Sequence, residues 1–133
     1  ANLDILAIYL KNNEINELKI FRFNENYKGI NNDLKEGENV ILLMRHCYAC
    51  HNFIMNKVRK TEQTEQTEPN TKFNGLMSNC LIGTIQNMRD HSSELSEVLN
   101  NNKFKYGSSV LLRSITTCML QYYISQNKMN KKN

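Results

Sequence analysis

Five consecutive residues, Cys47, Tyr48, Ala49, Cys50 and His51, set two thiols three positions apart with an imidazole directly behind them. No other feature constrains the chain as much, because both sulfurs and the ring must be held on one short stretch of backbone. C-x-x-C-H is the attachment sequence of c-type haem. Two thiols on the closing turn of a helix reach the two vinyl groups of one porphyrin edge, and the imidazole that follows falls under the iron as proximal ligand. Other chemistries use the same residues. A C-x-x-C pair also serves as a redox dithiol, as half of a zinc site, or as small apolar packing. A thioredoxin-like dithiol calls for a preceding strand and a βαβ frame, neither of which the pattern around residue 47 suggests. Zinc would draw on Cys47, Cys50, Cys80 and one of His46, His51 or His91, but the second pair lacks the short ligand spacing of structural zinc sites.

Helical spacing surrounds the motif. From Gly37 the chain reads EGENVILLMRHCYACHNFIMNKVRK, with Val40, Leu43, Met44 and Cys47 on one face and Arg45 beginning the basic end, which predicts a helix ending near Cys47. Leu3, Leu6, Ala7 and Leu10 repeat at the same spacing behind Asn2 as a cap and predict a short helix over 2–13. Leu18, Ile20, Phe21 and Phe23 form a β-branched and aromatic run that fits a strand or an extended arm. The repeat TEQTEQTEP, Thr61 to Pro69, has no apolar face to bury and reads as a solvated loop. Leu76, Met77, Cys80, Leu81 and Ile85, then a short helix capped by Asp90, extend the helical pattern through 75–100, and Ile115 to Gln126 closes the chain on a last helix. Cys80 and Cys118 sit at apolar helical positions, where buried thiols are the default. The resulting fold class is mainly α.

Composition narrows the function classes. With 133 residues, 40% of them hydrophobic and 23% charged, the chain suits one small domain. Lys11, Arg22, Lys35, Arg45 and Lys57 interrupt the apolar runs well short of the roughly 20 residues that cross a bilayer, so no membrane span is expected. Ala1 to Leu10 carry Asp4 and no basic cluster, unlike a signal or transit peptide. The net charge of +4 gives a mild bias toward acidic partners, without the dense basic and aromatic stripe that nucleic acid requires.

Residues 37–127 resemble a divergent class I cytochrome c of mitochondrial type. Gly37 to His51 is similar to the family's helix running into C-x-x-C-H. Glu68, Pro69, Asn70 and, after a longer gap, Gly75 and Leu76 resemble its G-P-N-x-x-G-L signature, with the TEQ repeat as an insertion. SEVLNNNKFKYGSSVLL followed by SITTCMLQYYIS looks like its N-P-K-K-Y-x-x-G segment and closing helix. The resemblance implies a cytochrome c-like helical domain over 37–127 around one covalent haem c, an N-terminal extension or arm over 1–36, and a basic tail over 128–133. Cys47 and Cys50 would carry the thioethers, His51 would be the proximal iron ligand, and the Pro69 carbonyl would orient it. The family's distal methionine falls at Val110, which has no donor atom. Met88 is the distal candidate, with Met77, Met119, His91 and Lys105 as alternatives.

The function so implied is one-electron transfer, not catalysis, in or beside a respiratory chain complex whose subunits offer acidic docking surfaces. Its setting would be the mitochondrial intermembrane space or inner membrane surface, or the periplasm in a bacterium. A rival reading from another class is a small four-helix-bundle interaction protein, secreted or viral and without haem. Its helices would lie near 2–13, 38–55, 75–100 and 113–127, with the cysteines as disulfides or packing.

Overall fold

The computed structural model describes residues 1–30, 33–61, 78–81 and 83–130. Three strands, β1 (Ile5–Lys11), β2 (Glu14–Phe21) and β3 (Glu38–Met44), form one antiparallel sheet in the order β2-β1-β3. Asn12 and Asn13 join β1 to β2, with φ of 50° and 64°. A two-residue hairpin turn whose twist matches the strands needs left-handed geometry at both central positions, and asparagine tolerates it better than other residues with a Cβ. On the other side of β1, β3 runs with Met44 opposite Ile5 and Glu38 opposite Lys11.

This sheet overturns the mainly α reading, and with it both the helical cytochrome c frame and the four-helix bundle. The stretches ILAIYL and VILLM are apolar at every position, so a spacing of 3.6 and a spacing of 2 both find apolar partners and periodicity does not separate them. Ile5, Ile8, Tyr9, Val40 and Ile41 favour the pleated surface, and the paired asparagines supply the turn. Residues 1–36 accordingly supply the central strand and one edge strand. The strand over 38–44 also changes the setting of the cysteine motif, since the next helix begins only at Cys50.

Among the described residues four α-helices follow: α1 (Cys50–Thr61), α2 (Thr84–His91), α3 (Ser93–Asn101) and α4 (Leu112–Asn130). α2 and α3 are separated at Ser92, two residues after Asp90, the cap expected from sequence. Along β1 the side chains alternate. Ile5 and Ala7 point inward with Phe21 and pack against Tyr27, Ile30 and the α3 residues Leu95, Val98 and Leu99. Each of these large side chains contributes about 2 kcal/mol by leaving water. The Tyr27 hydroxyl donates to the Leu3 carbonyl at 2.7 Å. A second cluster of Leu3, Cys47, Met88 and Ile124 ties α2 and α4 to the end of the sheet. Among the described residues, no helix is long and apolar enough to cross a membrane.

Candidate functional site

Cys47 and Cys80 are joined by a disulfide, their Cα atoms 5.7 Å apart. The chain on either side of the bond is held in register. Ala49 pairs with Cys80 in an antiparallel bridge, Cys50 N donates to Asn79 O at 3.2 Å, and Leu81 N donates to Tyr48 O at 3.0 Å. α4 reaches the same point through Thr117, whose Oγ1 accepts from Cys47 N at 2.9 Å and donates to Arg113 O at 2.7 Å. From the other side Asn2 Nδ2 donates to His46 O at 2.9 Å and Cys47 O at 3.2 Å. Arg113 Nε donates to His46 Nε2 at 3.3 Å. That bond makes Nε2 an acceptor, so the ring proton sits on Nδ1 and is donated to Cys47 O at 2.7 Å. His46 is thus a neutral clamp within this junction.

The residues as arranged do not fit a covalently held porphyrin. Two thioethers on one ring edge need two free sulfurs side by side. Cys47 is bonded to Cys80 and fully buried, whereas Cys50 is free and exposed at the start of α1, with His51 next in that helix. Of the other residues read from the sequence, Pro69 and Met77 lie outside the described residues. Met88 is 1% exposed and shares its cluster with Cys47, Leu3 and Ile124, which is a packing role. The His91 ring lies 4.4 Å from that of Phe23, with Nδ1 2.8 Å from Asn87 O. Met119, Lys105 and Val110 face solvent. Cys118 is the second free thiol, half-buried on α4. Among the described residues no three His, Cys, Asp or Glu side chains gather where they could hold a metal ion.

The sheet's outer face has a different character. Leu6, Ile8 and Leu10 of β1 lie opposite Ile20, Leu18 and Ile15 of β2 and opposite Leu43, Ile41 and Asn39 of β3. Eight of these nine residues are apolar, and Ile15 is 67%, Ile20 59%, Leu18 57%, Leu43 52% and Ile41 46% exposed. The register shifts between Tyr9, opposite Glu17, and Leu10, opposite Ile15, so that Asn16 is an extra residue in β2. A bulge reverses the alternation of side chains, and this one places Ile15 on the same face as Leu18 and Ile20. An antiparallel sheet with a solvated side normally alternates polar residues outward. Here the exposed apolar area is on the order of 600 Å², at the upper end of the largest patch a monomer carries. The outer face was missed in the sequence, although apolar residues at both parities of ILAIYL and VILLM are its signal.

No family model, no curated protein and no solved structure matches this chain. The functional reading therefore stands on geometry and chemistry.

Proposed function

We propose that the protein is a non-enzymatic interaction module that works as two copies docked face to face through the outer side of the sheet. The observation that carries this reading is the apolar ladder across the strands, broken only by Asn39 at one corner, from Leu6, Ile20 and Leu43 at one end to Leu10 and Ile15 at the other. An apolar face with no charged side chain among its nine paired residues complements itself, and a two-fold axis through it sets the same patch against its copy. Sheets stack in this way about 10 Å apart with interleaved side chains. Two such faces together bury on the order of 1,200 Å², the lower limit for a specific, stable interface.

Sedimentation equilibrium tests this with the intact protein and Leu18→Lys. Leu18 lies opposite Ile8 in the central row of the face, on the edge strand β2, and is 57% exposed, so the substitution leaves the monomer core untouched. It withdraws on the order of 100 Å² of apolar contact from each copy, about 2.5 kcal/mol per copy and about 5 kcal/mol per dimer, or more than a thousandfold in dissociation constant. The native chain is expected at twice its monomer mass and the variant at monomer mass with unchanged circular dichroism. A native chain that stays monomeric at about 100 µM refutes the pairing.

A further inference from the structure

The two outer edges of the sheet are built differently. β2 carries Glu14, Glu17, Lys19 and the bulge at Asn16, and charges and bulges are how native sheets keep an edge from pairing. β3 has neither device between Glu38 and Arg45. It reads NVILLM there and pairs with β1 without a shift in register. Which backbone groups it leaves open follows from its two ends, where Arg45 N donates to Asp4 O at 2.9 Å and Asn12 N donates to Gly37 O at 3.0 Å. In an antiparallel pair the backbone turns toward its neighbour at every second residue. Asn39, Ile41 and Leu43 therefore face β1, and Val40, Leu42 and Met44 present their N–H and C=O groups to the open side. Among the described residues nothing bonds to these groups from that side. The three side chains are only partly buried, although Ile5 and Ala7 on the same inner face are fully buried. A cavity of about 490 Å³ runs along this stretch. Leu42 and Met44 of the inner face and Leu43 of the outer face all line it, so it reaches round the β3 edge, and it continues to α3 and the 104–109 connection. Lys105 on that connection is the one Lys, Arg, Asp or Glu among the residues lining it, and among the described residues no carboxylate pairs with it.

We infer that the β3 edge takes up an extended peptide segment of a partner protein as an added strand, a segment apolar at alternate positions and carrying an acidic residue. Open N–H and C=O groups at two-residue spacing are matched by another extended backbone, and pockets for alternate side chains supply the selection. Every second side chain of the added strand falls on the inner face, where the cavity receives it. The carboxylate answers Lys105.

The test is fluorescence anisotropy of a labelled peptide VTVTVTE with the intact chain, expected to bind with a dissociation constant below about 100 µM. Two further peptides carry N-methyl groups on the valines or on the threonines. Only one set of N–H groups can face β3, the valines in an antiparallel and the threonines in a parallel addition, so one peptide should bind at least about tenfold more weakly and the other within about twofold of the parent. Lys105→Glu, on the exposed connection, should weaken VTVTVTE about fivefold and favour VTVTVTK instead. Leu42→Pro removes one open N–H, which an edge strand tolerates, and should abolish binding. Should that variant fail to fold, the methylated peptides on the native chain decide. No binding at about 1 mM peptide, or equal losses with both methylated peptides, overturns the inference. So does a folded Leu42→Pro that sediments lighter than a native chain binding no peptide, which would assign the edge to a second copy. Adsorption to the outer face involves side chains alone and would not separate the two methylated peptides, so the result is independent of whether the chain pairs through that face.

Discussion

Opening the Cys47–Cys80 disulfide should remove a large part of the protein's stability. The bond closes a loop over a sequence separation of 33 residues. Loop-closure entropy for a cross-link of that span corresponds to about 4 kcal/mol at 25 °C. A domain of this size has a total of about 5 to 15 kcal/mol. The location makes the loss hard to offset, because the bond joins the end of the sheet to the segment leading into α2, and Cys47 belongs to the cluster that packs Met88 and Ile124. Urea unfolding of the oxidised chain, of the reduced chain, and of Cys47→Ala with Cys80→Ala measures the difference. Both perturbed forms should lose about 3 to 4 kcal/mol, and reductant should have no further effect on the double variant. Denatured without reductant, the native chain should titrate as two free thiols, Cys50 and Cys118, and its intact mass should be lighter than the reduced chain by two hydrogens. Four free thiols, or a loss under about 1 kcal/mol, would refute the role given to the bond. A mass heavier by one haem would place the thiols of Cys47 and Cys50 on a porphyrin instead.

Two further outcomes follow from polar side chains at the end of the sheet and on α3. Asp4 Oδ1 accepts from Phe23 N at 2.9 Å and Oδ2 from Arg22 Nη1 at 2.8 Å. Burial acts to raise the carboxyl, but these hydrogen bonds outweigh it and hold Asp4 below its ordinary value of 3.8. A depressed folded-state value stabilises fully above 3.8 and is lost as pH falls through the folded value. Asp4→Asn should therefore cost about 1 kcal/mol near neutral pH, and the gap to the native chain in urea unfolding should close in acid; a gap independent of pH would remove the carboxylate from the account. Ser96 is 1% exposed on α3 with its hydroxyl unpartnered among the described residues. Ser96→Ala should raise stability by about 1 kcal/mol, since it removes an unmet buried hydroxyl and improves helix propensity, and a lower melting temperature would contradict this.

The sequence spoke clearly where one physical signal stood without a competitor. Ile115 to Gln126 lies inside α4, and among the described residues no helix is long and apolar enough to cross a membrane, as the charged residues at intervals of a dozen or so suggest. The cysteine motif was visible, but the partner of Cys47 was not, because spacing does not encode connectivity and Cys80 comes 33 residues later. The break between α2 and α3 was expected at Asp90 and falls at Ser92, a shift within the usual uncertainty of helix ends. Asn12 and Asn13 were the overlooked hairpin signal, two residues suited to positive φ between two apolar runs.

The larger misreading, strands taken for helices, has a cause that bears on function. A strand that buries one face alternates apolar and polar residues, and that alternation makes it legible. β1 and β3 do not alternate. Leu6, Ile8, Ile41 and Leu43 fill the positions where a solvated sheet would carry lysine, threonine or glutamate, and those residues are the centre of the outer face. Hydrophobic residues at the second parity favour the strand but bury only part of their surface in a single copy, and an exposed apolar sheet invites aggregation. Places where local sequence rules fail in an otherwise consistent fold are where function is expected. The same four side chains that hid the strand period lie on the surface that the proposed pairing would cover, and replacing them with polar residues should both restore a readable alternation and leave a soluble monomer whose α3 core is intact.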